Sequence, residues 1–137
     1  MPQLEFSRAY SYQATTEGIP LPVVLRTGTE TVDLLAYVDT GASNCLFERK
    51  QGEMLNLSIE DGEPKAFRTA NGRLDTFGHV VSLETLDLWV ESMVYFFADP
   101  AINKNLLGRS GWLDRVRLGL VEHDQRLYLA SYDLESR

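Results

Sequence analysis

Asp39-Thr40-Gly41-Ala42 is the segment of this sequence whose residue types can do chemistry together. Leu34 to Val38, just ahead of it, reads as a buried strand, so Asp39 falls on a tight turn at the strand's end. A carboxylate fixed in such a place, beside backbone amides, is positioned for general acid–base work. Thr40 supplies a hydroxyl able to lock the turn, and Ala42 keeps the floor of the site small. Gly41 permits a backbone shape that other residues resist and lets a ligand's main chain come close. The plain structural alternative is an Asp-Thr-Gly turn that merely joins two strands.

Other residues with chemical potential read as structural. Cys45, the single cysteine, sits on a short apolar strand and is expected to be a small buried hydrophobe rather than a nucleophile or redox group. His79 and His123 are far apart and lack ligand-like spacing to Cys or acids, so neither a metal nor another cofactor is expected. Ser110, in Gly108-Arg109-Ser110-Gly111, is no nucleophile elbow, because Trp stands at position 112 where that motif needs Gly. Phe96, Phe97 and Trp112 read as core, and the acid-rich 60–63 stretch as a solvated loop.

The elements that must position Asp39 are mostly short β-runs. Leu4, Phe6, Tyr10 and Tyr12 share the even positions of a strand. Runs from Ile19 to Arg26 and from Thr31 to Val38 flank Thr27-Gly28-Thr29-Glu30 and predict a hairpin, with Pro20 and Pro22 placing its first arm near a sheet edge. A short strand Cys45-Leu46-Phe47 follows, then a brief helix within Glu48 to Leu57 that Gly52 weakens, and a loop at Asp61-Gly62-Glu63-Pro64. Asn71-Gly72 predicts a second hairpin. Strands are expected at Val80 to Leu83, Leu86 to Val90 and Met93 to Ala98, and a brief buried run at Leu106-Leu107-Gly108. Ser110 is placed to cap a short helix reaching Val116, and alternation at Val116, Leu118, Leu120 and at Leu127, Leu129 gives two last strands. Many short strands with one or two short helices indicate an all-β protein, a small barrel or sandwich.

Three features fall in a telling order: the Asp39 turn, the hairpin around Thr69-Ala70-Asn71-Gly72, and Asn105-Leu106-Leu107-Gly108-Arg109 ahead of an apolar segment. From about Ile19 to Leu129 the chain therefore resembles the retropepsins, the single-domain aspartic proteases of retroviruses and their bacterial and cellular relatives. The resemblance implies a small closed all-β barrel with a flap hairpin and one short C-terminal helix, a single domain over 1–137. It makes Asp39 the catalytic carboxylate, with Thr40, Gly41 and Ala42 supporting its loop. Thr69, Ala70, Asn71, Gly72 and Arg73 become the tip of a mobile flap that meets substrate. Leu107 and Gly108 cross beneath the Asp39 loop, and Arg109 matches an Arg that often follows this Gly in viral members. Ser43 and Asn44 depart from the acids those members commonly carry there, so Arg109 lacks its usual partner, and the flap is poorer in Gly than theirs.

That mechanism needs two carboxylates, and the chain has one Asp-Thr-Gly. A two-lobed aspartic protease needs about twice this length for two domain-sized halves. The expectation is a homodimer in which each chain contributes an Asp39, acting as an endopeptidase on a peptide or protein substrate. The apolar alternation near both termini offers strands for the contact between chains. The rival readings are a peptide-binding module on the same barrel without catalysis, and a small barrel holding an apolar ligand.

Composition narrows the field of partners. The 137 residues are 44% hydrophobic and 24% charged, within the range of one globular domain. With 13 Lys+Arg against 20 Asp+Glu the net charge is −7, which repels nucleic acid and anionic membrane surfaces. No apolar run approaches the roughly 20 residues of a membrane-spanning helix. A single cysteine and a start without a signal-peptide layout point to the cytoplasm.

Overall fold

The alternating stretch Pro20–Thr27 buries Leu21, Val23 and Leu25 and leaves Pro22 and Arg26 exposed, the pattern of a strand with one face on a core. The computed structural model describes residues 1–132. Its strands are β1 (Arg8–Ser11), β2 (Pro20–Thr27), β3 (Glu30–Val38), β4 (Leu46–Phe47) and β5 (Glu63–Thr69), then β6 (Gly72–Thr85), β7 (Leu88–Phe97), β8 (Leu106–Leu107), β9 (Val116–Val121) and β10 (Arg126–Ser131). The helix α1 spans Arg49–Met54. The fold is all-β and barrel-like, as the sequence indicated.

One sheet runs β2-β3-β8-β4-β7-β6-β5, and β6 also pairs with β2 at Val24 to Arg26. The strand order thus curls back on itself, with β5 projecting beyond it. Pro20 and Pro22 precede the short β2–β6 pairing, where a missing N–H removes no bond to β6. The β2–β3 hairpin closes as predicted: Thr27 pairs with Glu30, and Gly28 takes the positive φ of 60° that the tight turn requires.

The core inside this curl contains Leu21, Leu25, Phe47, Leu83, Phe96 and Trp112, all essentially inaccessible. Burying each such side chain stabilises the fold by roughly 1.5–3 kcal/mol. The Trp112 indole N–H donates to buried Thr85 Oγ1 at 3.1 Å, so its polar atom is satisfied. Gly52, which weakens α1 by propensity, is required by packing. A Cβ there would lie 2.5 Å from Ile59 Cδ1 and 3.0 Å from the Phe96 ring.

Several elements differ from expectation. Leu86 does not begin a strand: Leu86 and Asp87, with φ of 49° and 67°, form a two-residue turn between β6 and β7. Both positions take the left-handed backbone that matches the twist of paired strands, and Arg8 Nε donates to the Leu86 carbonyl at 2.9 Å. Glu63 and Pro64 belong to β5 rather than to a loop. The helix expected over 110–116 is reduced to a single 3-10 turn, Leu113–Arg115. Trp112 precedes it with non-helical φ and ψ because its side chain is committed to the core, and Val116 already enters β9. At the N-terminus only Arg8–Ser11 is strand; Leu4 is exposed, and the Phe6 ring lies 5.9 Å from that of Tyr128.

The terminal strands pair with each other within the chain, in a three-stranded antiparallel sheet ordered β1-β10-β9. Leu127 and Leu129 of β10 are fully buried, which commits these strands to the chain's own core before any contact between chains. Among the described residues, no helix is long and apolar enough to cross a membrane.

Candidate active site

β3 delivers Asp39 to the end of a strand held on its flank by β8. Tyr37 and Val38 pair in parallel with Leu106 and Leu107, and the Asp39 N–H donates to the Leu107 carbonyl at 3.0 Å. β8 also pairs antiparallel with β4 through Leu46, so it is threaded between the strand before the Asp39 turn and the strand after it. The threading continues past β8: Arg109 N–H donates to the Ala42 carbonyl at 2.9 Å and Ser110 N–H to that of Ser43 at 2.8 Å. The Asp39 turn and the Leu107-Gly108-Arg109 segment, distant in sequence, are therefore one hydrogen-bonded unit.

Within the turn, Gly41 N–H donates to Asp39 Oδ1 at 2.9 Å and Ala42 N–H to the Asp39 carbonyl at 3.2 Å. The first bond fixes the carboxylate's orientation. A Cβ at position 41 would stand 3.2 Å from the same oxygen, tighter than ordinary contact, so glycine leaves that oxygen room. Asp39 is half-buried while Thr40 and Gly41 are exposed. Among the described residues, the Thr40 hydroxyl has no hydrogen-bond partner.

Gly108 fits because it has no side chain. A Cβ would collide with the Asn44 carbonyl oxygen and come within 2.5 Å of its carbon and 2.9 Å of Ala42 O. Cys45 packs against the same place: its Sγ accepts the Gly108 N–H at 3.4 Å and lies 3.9 Å from the Ser110 carbonyl. Burial pushes the Cys45 thiol up to about 11, against the smaller opposing pull of the Gly108 N–H. It is thus a packed, protonated thiol at neutral pH. Buried Glu48 braces the approach to β8: its Oε1 accepts from Asn105 Nδ2 at 2.8 Å and from Gln51 Nε2 at 2.9 Å, while its N–H donates to Asn105 Oδ1 at 3.0 Å.

The backbone of Arg109 is structural but its side chain is not. It is exposed and borders a surface groove with Ser43, Ser110 and Asp114. The hairpin tip Thr69 to Arg73 is exposed, and among the described residues no hydrogen bond joins it to the Asp39 turn. Ala70 and Asn71 form its two-residue turn, tightened by Thr69 Oγ1, which donates to the Gly72 carbonyl and accepts the Asn71 N–H. Lower down, Phe67 and Leu74 pack on the small cluster of Leu46, Tyr95 and Phe97, which Leu106 also joins. Leu106 in turn lines a groove of about 360 Å³ beside Asp39, with Glu17, Tyr37, Asn103 and Lys104. No local feature marks Glu17, Tyr37, Asn103 or Lys104 in the sequence, because separate chain segments bring them together.

A strand threaded between the two arms of an Asp-Thr-Gly turn, on a small barrel-like sheet with a projecting hairpin, defines a retropepsin-like fold. Solved structures agree. A retropepsin-like aspartic protease from Rickettsia conorii is similar with a TM-score of 0.60 at 17% identity, over 90% of this chain and 99% of that one. EIAV protease bound to an inhibitor is similar with a TM-score of 0.52 at 17% identity, over 66% of this chain and 80% of that one. No curated protein sequence matches the chain. The family model described as aspartyl protease matches residues 14–111, which include the Asp39 turn, the hairpin and the β8 segment. The chain belongs to this aspartyl protease family.

Proposed function

We propose that this chain is one half of an aspartic endopeptidase, completed when a second copy brings its own Asp39 across a two-fold axis. The observation that carries the reading is the Asp39 carboxylate itself. It is oriented by the Gly41 N–H on a turn anchored to β8, yet half-exposed beside a groove. The exposed Thr40 and Gly41 suit a face that meets another chain or a substrate backbone.

The chemistry follows from two carboxylates a few ångströms apart. Like charges so close cannot both ionise, so the pair shares one proton and titrates in two steps that belong to the pair. The ionised member takes a proton from a water lying between them as that water attacks the peptide carbonyl. The protonated member donates to the carbonyl oxygen, and the leaving amine then receives a proton as the C–N bond breaks. Thr40 steadies the paired loops, Gly41 lies against the substrate backbone, and the tips Thr69 to Arg73 close over the peptide. A reducing cytoplasmic setting suits a chain whose single cysteine is a buried thiol.

The test combines a variant with a mass measurement. Asp39→Asn keeps an oxygen for the Gly41 N–H, so it should fold with an unchanged melting temperature and cleave nothing. Wild-type specific activity should rise with protein concentration alongside the dimer fraction seen by sedimentation. Proteolysis by a species that stays monomeric, or by Asp39→Asn, refutes the reading.

A further inference from the structure

We infer that the groove beside Asp39 selects a basic side chain, Lys or Arg, in the substrate residue next to the bond that is cut. This rests on the protease reading and extends it to the class of substrate.

The groove's apolar part is made by Tyr37 and Leu106, half-buried neighbours on the paired strands β3 and β8. Glu17 stands at its wall with both carboxylate oxygens engaged. The Tyr37 hydroxyl donates to Oε2 at 3.4 Å and the Thr16 hydroxyl to Oε1 at 3.2 Å. The turn that carries Glu17 is itself tied down. Thr15 and Gly18 exchange backbone hydrogen bonds of 2.9 and 3.1 Å, and Glu17 N–H donates to Thr15 Oγ1 at 3.1 Å. Glu17 is an exposed acid on a turn whose backbone is fixed, with two long hydroxyl contacts that keep its carboxylate on the groove side. Its hydroxyl partners are neutral and leave its charge uncompensated; among the described residues it has no ion pair.

Lys104 is the base of the groove. It is exposed on the loop before β8 and, among the described residues, forms neither a hydrogen bond nor an ion pair. With one proton shared between the two Asp39, the dyad's remaining charge together with Glu17 outweighs the Lys104 ammonium, so the groove is negative. Tyr37 adds apolar lining to the groove, and the net charge of −7 steers basic peptides toward the surface. A Lys or Arg side chain can lay its methylenes on Leu106 and Tyr37 and bring its head group to Glu17. An acidic side chain meets like charge there, and an apolar one leaves Glu17 covered without a counter-charge.

The experiment uses decapeptides identical except for one central residue, Arg, norleucine or Glu, cleaved by the wild-type protein. Expected kcat/KM is about tenfold higher for Arg than for norleucine, the factor of one charge-assisted hydrogen bond, with Glu last. Glu17→Gln should bring the Arg-to-norleucine ratio toward one, and Lys104→Gln should widen it. Norleucine or Glu preferred by wild type, or a ratio that survives Glu17→Gln, overturns the inference. Fluorescence anisotropy of the same labelled peptides on the Asp39→Asn protein reads the preference without turnover, with Arg expected tightest. No cleavage of any peptide, with Arg still bound tightest, overturns the protease reading and upholds the groove's preference. Cleavage without charge preference does the reverse.

Discussion

Replacing Gly108 with Ala tests whether the threading of β8 really holds the Asp39 turn. The added methyl would collide with the Asn44 carbonyl oxygen and sit 2.5 Å from its carbon and 2.9 Å from Ala42 O. All these atoms are backbone, so no side chain can swing aside. Relief requires the 42–44 and 108–110 segments to part, and the bonds between them are those from Arg109 N–H to Ala42 O and from Ser110 N–H to Ser43 O, at 2.9 and 2.8 Å. The Gly108 N–H bond to Cys45 Sγ goes with them. At about 1 kcal/mol net for each of the two backbone bonds and about half that for the weaker bond to sulfur, with about 1–2 kcal/mol of overpacking, the loss is about 4 kcal/mol. For a domain of this size that lowers Tm by about 12–16 °C. Gly119→Ala is the matched control, because its methyl meets only the tip of the Phe6 ring, at 3.0 Å, which can shift. It should cost under about 1 kcal/mol. Thermal unfolding followed by circular dichroism compares the two, and equal melting temperatures for both variants would show that β8 does not clamp the turn.

Two further outcomes concern pH. Peptide cleavage by the dyad requires one proton shared by two carboxylates, so the rate should fall as pH rises through the upper constant of the pair; a pH–rate profile still climbing above neutrality contradicts the shared proton. Cys45, raised from 9.0 to about 11 by burial, gives stability that is fully present below about pH 9 and is lost as pH rises toward 11. Cys45→Ala should flatten that part of the alkaline decline in urea-unfolding free energy. Iodoacetamide at pH 8 should label the folded protein far more slowly than the urea-unfolded one, and equal labelling rates would mean that the thiol is not enclosed.

The parts of this fold that were legible in the sequence have local causes. Gly28 announces the β2–β3 turn because only such a residue takes its φ of 60° without strain. The turn between β6 and β7 places Leu86 and Asp87 in the same region of backbone space, and Leu carries no sign of it. What sets that turn is the long β6–β7 register and the Arg8 bond to the Leu86 carbonyl, both tertiary. The spacing of Trp112, Leu113 and Val116 imitates a helical face, but Trp112 points into the core and bonds Thr85 from across the chain, so one 3-10 turn is all that fits.

The same division runs through the site. Asp39, Thr40, Gly41 and Ala42 are neighbours in sequence, and the turn they make was readable from their types. Leu107-Gly108 gave a weak signal alone, because nothing local requires a glycine there; position 108 shows no left-handed backbone. The requirement comes from β8 passing between β3 and β4, where the Asn44 and Ala42 carbonyls close on it. Glu17 and Lys104 gave none, since each faces the groove only after Tyr37 and Leu106 have been brought side by side. The acid proposed to do the chemistry is thus written locally, whereas the residues proposed to choose its substrate are brought beside it by the fold. It follows that exchanging Glu17 or Lys104 should alter which peptides are cut while leaving the Asp39–Leu107 backbone bond, and the melting temperature that depends on it, where they are.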